Sequence, residues 1–487
     1  MARSYVLALD AAPGDTPLYV RIARALASDM ERGRLKPGER LPGSRTLATM
    51  LGVNRNTVQA ALTELEAQGW VEPQAARGVF VRGTLPEVRP RTVKRILLER
   101  REVPTRPGFD LPDERPTWTG RASSPRRLIL TGGVPDPRLF PRELLARAYR
   151  RALRRHGERL LDYGDAHGEP HLRAALADML TRLRGLAASA DDVLVTRGSQ
   201  QAIWLAARAI VRPGDRVGVE CWGYPPAWEA LRDAGATLVP LAVDRDGLCI
   251  DALEEALASG PLRAVYLTPH HQYPTMAALD ARRRLRLLEL ARTHRFAVLE
   301  DDYSHEFQYA GRPRLPLASS DRSGTVIYLG SLSKVLAPGL RIGYLVAPRP
   351  LVDRMAAIRT RIDRQGDAIA EAAVAELLEE GEVERHARRM RAVYRARRDV
   401  LVEALTARLG ERVSFEVPQG GMALWVRVHG ASPERWVARA KERDVIFRAG
   451  RDLALEPPEE VPFVRMGFTR LDERELTRAV RIAAEVF

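Results

Sequence analysis

GSLSKVLAPGLRIGYLV, which runs from Gly330 to Val346, sets a lysine among serines and an arginine a short way behind it. Lysine is rare here, since the 77 lysines and arginines include only Lys36, Lys94, Lys334 and Lys441. Arginine keeps its charge, whereas a desolvated lysine can lose its proton and attack a carbonyl to form a Schiff base. The simpler interpretation of Lys334 is a solvated lysine before a turn. The neighbouring sequence distinguishes this interpretation from a Schiff-base lysine.

Short apolar runs on both sides of this stretch alternate with helical stretches from about Leu128 to the C-terminus. They are DVLVTRG, RVGVECWGY, AVYLTP, FAVLEDDY and TVIYLGSLSK. Their nearly continuous hydrophobicity is typical of buried strands in a mostly parallel sheet. We therefore predict an α/β fold with a smaller α+β part at the C-terminus. Ligands of such sheets bind beyond the carboxyl ends of the strands.

Polar clusters follow two of these strands. Gly198 to Gln201 opens a helix whose free amides and dipole favour an anion, and Ser199 and Gln200 are candidate phosphate contacts. Asp301 could keep a pyridine nitrogen protonated, and Tyr303 could hydrogen-bond a ring hydroxyl. Glycines commonly join strands to helices and acid pairs commonly cap helices, so neither cluster identifies a site alone.

Two further clusters complete the set. Ser331 and Ser333 can donate to a phosphate, and Arg341 can add a bidentate, permanent charge. Arg465 in FVRMGF is placed to take a substrate carboxylate, although an isolated arginine is usually a surface charge. Together with Lys334, the four clusters predict a pocket for an aldehyde-bearing, phosphorylated pyridine.

The N-terminal part has a different pattern. PLYVRIARALASDMERG predicts a helix, and residues 44–53 and 54–70 predict two closely joined helices capped by Ser44 and Asn54. WVEPQAARGVFV predicts two short strands of a wing around Ala75–Gly78. We interpret these elements as a winged helix-turn-helix, with a small helical bundle carrying solvated arginines as the alternative.

In a helix-turn-helix the N-terminal residues of the second helix face base edges in the major groove. The candidate base contacts are therefore Arg55, Asn56, Thr57 and Gln59. Arg45 and Arg77 are candidate contacts to the DNA backbone. The formal charge of +14 agrees with an anionic partner, although an arginine-rich codon bias would give the same excess.

We predict three parts: residues 1–82 bind DNA, residues 83–127 form a Pro/Arg-rich linker with a short helix at Val93–Arg101, and residues 128–487 form the α/β domain. Two cysteines give neither a disulfide framework nor metal-ligand spacing. The N-terminus lacks the apolar core of a signal peptide and no apolar run could span a bilayer, which predicts a cytoplasmic protein without a metal.

Both ends of the chain resemble known families. LPGSRTLATMLGVNRNTVQAALTELEAQGWV and RGVFV resemble the winged helix-turn-helix of GntR-type regulators. SLSKVLAPGLRIGY, with YGDAHGEPHLRAALA, RGSQQAIW, EDDYSHEF, PQGGMALWV and VRMGF, resembles the fold-type I aminotransferases that use pyridoxal 5′-phosphate. HHQYPT, residues 270–275, stands where ordinary members have an Asn-Pro-Thr-Gly run. This variant behind a GntR-type head is typical of the MocR group of bacterial regulators.

The resemblance implies a role for each site residue. Lys334 is then the Schiff-base lysine, Asp301 the partner of the pyridine nitrogen, Tyr303 the partner of the ring oxygen and Tyr224 the aromatic residue stacked on the ring. The implied phosphate contacts are Ser199, Gln200, Ser331, Ser333 and Arg341. Tyr163 would reach the phosphate of the neighbouring subunit in a homodimer, and Arg465 would hold the carboxylate of an effector.

Two functions remain open at this point. The first is a transcriptional regulator that binds repeated half-sites in DNA and responds to pyridoxal phosphate, alone or as an adduct with an amine, in vitamin B6 or amino-compound metabolism. Pro226 stands where an amine-sensing member could use an arginine, which favours the cofactor itself as effector. The second is a working aminotransferase with a DNA-binding appendage. An empty pocket kept only for dimerisation disagrees with the retained cofactor contacts.

Overall fold

The structure is a computed structural model, and it describes residues 16–75, 77–85, 108–110, 127–311 and 314–487. The chain divides into two compact units, Met1–Thr119 and Gly120–Phe487. Most of the predicted linker lies outside the described residues, and so does the whole of the predicted helix Val93–Arg101. The linker and the domain boundaries at residues 82 and 127 therefore stay predictions.

The described residues form helices and strands throughout both units. The α-helices are α1 (Leu18–Glu31), α2 (Ser44–Leu51), α3 (Arg55–Ala67), α4 (Arg142–Leu161), α5 (Pro170–Arg184), α6 (Ser199–Ile210), α7 (Pro225–Asp233), α8 (Ile250–Ala258), α9 (Ala281–His294), α10 (Arg349–Thr360), α11 (Ala368–Glu379), α12 (Glu382–Leu409), α13 (Pro433–Glu442) and α14 (Glu473–Glu485). The strands are β1 (Val71–Gln74), β2 (Gly78–Val81), β3 (Leu128–Ile129), β4 (Val193–Thr196), β5 (Arg216–Glu220), β6 (Thr237–Leu241), β7 (Val243–Asp244), β8 (Gly247–Leu248), β9 (Ala264–Leu267), β10 (Ala297–Asp302), β11 (Val326–Ser331), β12 (Gly343–Val346), β13 (Val413–Ser414), β14 (Ala423–Val428), β15 (Val445–Ile446), β16 (Arg448–Ala449) and β17 (Phe463–Gly467).

The first unit has the predicted three helices and a two-stranded wing. The apolar faces of α1, α2 and α3 meet in one core, which buries residues such as Ile22, Leu47 and Val58. β1 and β2 pair antiparallel, with Val71 opposite Val81, as the wing pattern predicts. This arrangement leaves the N-terminus of α3 and Arg77 of the wing at the surface.

One predicted helix cap is confirmed and the other is wrong. Asn54 caps α3, since its side-chain oxygen accepts a hydrogen bond of 2.8 Å from the backbone N–H of Asn56. Ser44 does not cap α2, because the chain enters helical geometry directly after Gly43 and Ser44 is already the first helical residue. The Ser44 hydroxyl instead accepts a hydrogen bond of 3.4 Å from Nε of Arg55.

The second unit is built on a seven-stranded sheet with the order β4-β12-β11-β10-β9-β5-β6. β12 is antiparallel to both of its neighbours, and the other strand pairs are parallel. All five predicted apolar runs contribute strands to this sheet, which confirms the α/β prediction. The sequence analysis missed β12, which lies inside the opening stretch, and β6, which contains Pro240.

Helices cover both faces of this sheet. Successive residues of β10 point to opposite faces, so Leu299 packs in the core with α6 and α10, whereas Val298 packs with α8 and α9. A four-stranded sheet, β13-β14-β17-β16, forms the smaller C-terminal part with α12, α13 and α14. Among the residues that the structure describes, no helix combines the length and the apolar character needed to cross a membrane.

Candidate functional site

The polar clusters gather at one edge of the seven-stranded sheet. β4, β10 and β11 run in the same direction, so their carboxyl ends, which carry Ser199, Asp301 and Ser331, lie at this edge. β12 runs the opposite way and therefore begins at the same edge, just after Arg341. The turn between β11 and β12 contains Lys334. The topology thus places an acid, a lysine and an arginine at the ends of adjacent strands.

Asp301 is buried and only partly satisfied. Its Oδ2 accepts a hydrogen bond of 2.7 Å from the phenol of Tyr266, while its Oδ1 has no hydrogen-bond partner among the described residues. Burial raises the pKa of Asp301 to about 6, against the Tyr266 hydrogen bond and the positive charge of Lys334, which both lower it. Asp301 therefore has an open acceptor next to the lysine, as a partner for a protonated ring nitrogen requires.

The helix N-terminus beside this acid is shaped for an anion. Gly198 has a φ of +80° in front of α6, and a Cβ there would lie 3.3 Å from NH1 of Arg341. NH2 of Arg341 donates to the carbonyl of Arg197 at 2.7 Å, which fixes the guanidinium at this helix end. The buried hydroxyl of Ser333 has no partner among the described residues. Free amides, a fixed guanidinium and an unused hydroxyl are suitable groups for a phosphate.

The remaining predicted phosphate contacts lie nearby but are partly engaged. The Ser331 hydroxyl accepts a hydrogen bond of 3.2 Å from the backbone N–H of Ser333. Nε2 of Gln200 donates to the carbonyl of Pro226 at 2.7 Å, and its buried Oε1 has no partner among the described residues. Ser199 is the first residue of α6, so its amide is one of those that the helix leaves without an internal partner.

Three tyrosines lie in a row near the acid. The ring of Tyr273 lies between those of Tyr224 and Tyr303, at centroid distances of 5.6 and 6.3 Å. The phenol of Tyr303 donates to the carbonyl of His271 at 2.9 Å, so it does not hold the free position that the predicted ring-oxygen contact needs. Burial raises the pKa of Tyr224 to about 12, so its phenol stays neutral.

Arg465 is fully buried with unused donors. Its NH1 donates to the carbonyl of Thr131 at 2.8 Å, whereas Nε and NH2 have no partner among the described residues. Its Cζ lies 4.3 Å from the centroid of the Tyr273 ring. Gly132, with a φ of +74°, admits the guanidinium because a Cβ there would collide with it. Since no carboxylate of the described residues pairs with it, Arg465 is suited to an incoming one.

The residues of the run HHQYPT lie in two different surroundings. Tyr273 enters the pocket described above, while His270 lies behind it, with Nε2 3.0 Å from NH2 of Arg184. Burial lowers the pKa of His270 to about 4 and also lowers the pKa of His271, whose Nδ1 lies 3.0 Å from the Ser304 hydroxyl. The sequence analysis missed Tyr266 and Tyr273. Aligning Tyr-Pro-Thr on the family's Asn-Pro-Thr would have identified Tyr273.

Tyr163 lies outside this pocket. It follows α4, is 75% exposed, and has Cζ of Arg364 4.1 Å from its ring centroid. It borders a separate cavity of about 260 Å³, which is lined by none of the other predicted cofactor residues. Within one chain the structure therefore does not bring Tyr163 to Lys334.

The predicted DNA contacts share one surface of the first unit. Arg55, Asn56 and Gln59 are exposed at the start of α3, and Thr57 is half-buried there. Arg45 is exposed on the first turn of α2, and Arg77 lies in the wing with its Cζ 5.8 Å from the ring centroid of Phe80. Exposed polar side chains at a helix N-terminus are suitable for DNA contacts.

Comparisons with known proteins identify both parts. The model of aminotransferase class I and II matches residues 135–482, and that of the gntR family of bacterial regulatory proteins matches residues 18–81. The chain is 32% identical to the probable rhizopine catabolism regulatory protein MocR of Rhizobium meliloti, over 90% of this chain and 85% of that protein. It is 31% identical to the pyridoxine biosynthesis transcriptional regulator PdxR of Corynebacterium glutamicum, over 80% and 78% of the two chains.

A solved structure covers the second unit. The α-aminoadipate aminotransferase LysN of Thermus thermophilus, complexed with N-(5′-phosphopyridoxyl)-L-leucine, is 32% identical to the chain and has a TM-score of 0.69. The match covers 74% of this chain and 92% of that chain. The fold that carries the pocket described above is therefore the fold of an enzyme that holds a phosphopyridoxyl group.

Proposed function

We propose that pyridoxal 5′-phosphate held at Lys334 controls DNA binding by this chain, which belongs to the MocR-type regulators. In these regulators a gntR-family domain precedes a domain of the class I and II aminotransferase family. One observation carries the proposal. Oδ1 of Asp301 and the hydroxyl of Ser333 are buried without partners at the strand ends beside Lys334. A buried polar group without a partner costs about 1–3 kcal/mol, so a ligand that satisfies several of them binds favourably.

Each residue of the pocket then has a task in holding the cofactor. Asp301 keeps the proton on the ring nitrogen, and Tyr224 packs on the ring. The phosphate contacts are Ser199, Gln200, Ser331, Ser333 and Arg341. Tyr303 reaches the ring oxygen by giving up its hydrogen bond to His271. The bound cofactor supplies an electrophilic carbonyl that reacts with amines, and Arg465 orients an amine that carries a carboxylate.

The regulator interpretation is supported by the head and by the relatives. A gntR-family domain binds DNA, and the relative PdxR is named as a regulator of pyridoxine biosynthesis. Arg55, Asn56, Thr57 and Gln59 are the proposed base contacts, with Arg45 and Arg77 on the phosphate backbone. Binding of the cofactor, alone or with an amine, shifts the aminotransferase-like domain between arrangements that present the DNA-binding domains differently to repeated half-sites.

A homodimer is part of this proposal. Tyr163 is exposed and lies outside its own cofactor pocket, as a residue that completes the pocket of a second copy would. A linker of about 45 residues can span a distance of tens of ångströms, so each head can reach the body of its partner. Sedimentation of the cofactor-loaded protein tests this, and a monomer at the concentration that binds DNA would contradict it.

Transamination is the second candidate function. Lys334, Asp301 and the buried, unused donors of Arg465 would also suffice to bind an amino acid and move a proton at its α-carbon. Turnover of an amino acid with a keto acid distinguishes the two functions, because an enzyme requires it and a sensor does not.

The first experiment measures the affinity for the DNA upstream of the protein's own gene at one fixed salt concentration. Cofactor-stripped protein is compared with protein reloaded with pyridoxal phosphate, and Lys334→Ala serves as the matched control. We expect a change in affinity for the wild type and none for Lys334→Ala. Equal affinities of stripped and reloaded wild-type protein would reject the cofactor as the effector.

A further inference from the structure

Two arginines lie side by side next to the cofactor pocket. Arg448 of β16 is directly opposite Arg465 of β17 in an antiparallel pair. Directly opposite residues point to the same face of a sheet, with Cβ atoms about 4.5–5.5 Å apart. Like charges in this arrangement are destabilising, so a pair that forms no ion pair with a carboxylate indicates a negatively charged ligand.

The end of β16 is tied to the cofactor pocket by backbone hydrogen bonds. The chain that follows Arg448 returns to the Trp222 segment, where the N–H of Gly223 donates to the carbonyl of Leu453 at 3.0 Å. The N–H of Leu455 donates to the carbonyl of Cys221 at 2.9 Å. Because Tyr224 directly follows this segment, Arg448 borders the pocket on the side of Tyr224, just as Arg465 borders it on the side of Tyr273.

No carboxylate of the described residues forms an ion pair with either arginine. The guanidinium of Arg465 uses only NH1, on a carbonyl oxygen, and the side chain of half-buried Arg448 has no hydrogen bond or ion pair within the described residues. Asp452 is near enough for Arg448 to lower its pKa, yet burial has the larger effect and raises it. The charge of Arg448 also lowers the pKa of Tyr224, against burial, which agrees with its place at the pocket.

The two arginines have aromatic neighbours on the same face of the sheet. Trp425 is opposite Arg465 on the other neighbouring strand, so Trp425, Arg465 and Arg448 form a row across the sheet. The ring of Trp425 stacks on Phe463 at 5.0 Å and meets Trp222 edge to face at 5.8 Å. Such rings suit the aliphatic part of a small ligand, while the arginines suit its charged ends.

We infer that Arg448 is a second anion site and that the effector is an amino acid with an acidic side chain. Arg465 takes the carboxylate next to the amino group, and Arg448 takes the anionic group at the other end. An effector with one negative charge would leave Arg448 uncompensated beside Arg465. The inference rests on the proposed function, because it names the class of compound that the cofactor pocket senses.

The test uses diacids without an amino group, since these cannot react with the cofactor. Isothermal titration calorimetry on the full-length, cofactor-loaded protein compares glutarate with its half-amide glutaramate. We expect glutarate to bind at least about tenfold tighter, the effect of one charge-assisted hydrogen bond. Arg448→Gln should bring the ratio close to one, and Arg448→Lys should retain most of it.

Arg427→Gln is the matched control. Arg427 is an exposed arginine on the same face of β14, with Cζ 5.7 Å from the Phe463 ring centroid, and its loss should leave the ratio unchanged. A wild-type protein that binds both compounds equally, or an Arg448→Gln protein that keeps the wild-type ratio, overturns the inference. Arg448→Met replaces Arg448→Gln if the latter no longer takes up cofactor. A failure of the proposed function is recognised separately, because the DNA affinity would then be the same for cofactor-stripped and reloaded protein.

Discussion

Asp301 and Asp302 are consecutive, buried residues at the end of β10, yet their surroundings are opposite. Oδ1 of each carboxylate lacks a hydrogen-bond partner among the described residues, but no arginine there pairs with Asp301, and burial raises the pKa of Asp301 to about 6. Oδ2 of Asp302 accepts hydrogen bonds from Arg184 at 2.6 Å and from Tyr328 at 2.8 Å. Burial opposes the ionisation of Asp302, but His270, Arg184 and His305 hold its pKa well below its usual range.

The difference follows from the alternation of side chains along a strand. Successive residues face opposite sides of the sheet, so one carboxylate enters the cofactor pocket and the next enters the protein interior. The chain compensates the charge of Asp302 in the interior with its own residues. It does not fully compensate the charge of Asp301 in the pocket. Groups that the chain satisfies itself contribute to stability, whereas groups that it leaves open contribute to binding.

The largest expected effect is on the interior side. Arg184→Met removes the guanidinium that pairs with Asp302 and leaves a buried carboxylate without its cation. We expect the free energy of unfolding to fall by about 3–5 kcal/mol, measured by urea denaturation of cofactor-free protein. A loss below about 1 kcal/mol would mean that Asp302 does not depend on Arg184.

Asp301→Asn should give the opposite pattern. It should not lower the stability of the cofactor-free protein at neutral pH and should raise it, because the buried carboxylate that it removes destabilises the fold when ionised. The affinity for pyridoxal phosphate should fall about 10- to 100-fold, since a charge-assisted hydrogen bond to the ring nitrogen is lost. A titration followed by the visible absorbance of the lysine-bound cofactor measures this. Asp302→Asn is the matched control, and it should lower stability more than affinity.

The pH dependence of binding sharpens the same contrast. The raised pKa of Asp301 means that the cofactor-free fold favours its protonated form, so this residue destabilises the fold as the pH rises through about 6. Only the ionised form attracts a protonated ring nitrogen. We expect cofactor affinity to fall about tenfold between about pH 7 and pH 5, relative to Asp301→Asn. Parallel curves for the two proteins would refute this role of Asp301.

The smallest effect is expected in the DNA-binding domain. Its exposed surface also has residues that stabilise the fold and residues that are left open for binding. Asn54→Ala removes the cap of α3 and should lower the free energy of unfolding by about 1 kcal/mol, measured by thermal or urea denaturation. Ser44→Ala should change it by less, because Ser44 does not cap α2. Gln59→Ala should weaken DNA binding without changing stability. A loss of stability in Gln59→Ala would contradict its role as a DNA contact.

Much of the fold could be predicted because hydrophobic patterning is local. Five strands and the head's three helices follow from apolar runs and helical spacing within a few residues. β6 could not be predicted in the same way, since TLVPL contains a proline and has no continuous apolar pattern. The cap of α2 was predicted wrongly because the start of a helix depends on backbone dihedrals that sequence spacing fixes only within a residue or two.

The pocket residues were predictable where each lies within a local sequence motif. Lys334, Arg341 and Asp301 lie at strand ends that the apolar runs mark. Tyr266 reaches Asp301 from a neighbouring strand, and Arg448 faces Arg465 only through the register of β16 and β17. Such contacts depend on which strands become neighbours, and this information is not contained in any single segment of the sequence.

The antiparallel strand in the otherwise parallel sheet has an evolutionary consequence. Parallel neighbours are joined by long crossover connections, so these connections can gain or lose residues independently. Lys334 and Arg341 instead share one short connection between β11 and β12, and both ends of that connection are fixed by strand pairing. An insertion or deletion there displaces both anchors together. Among the descendants of such a chain, the length of this connection should therefore vary less than the lengths of the other loops at this edge.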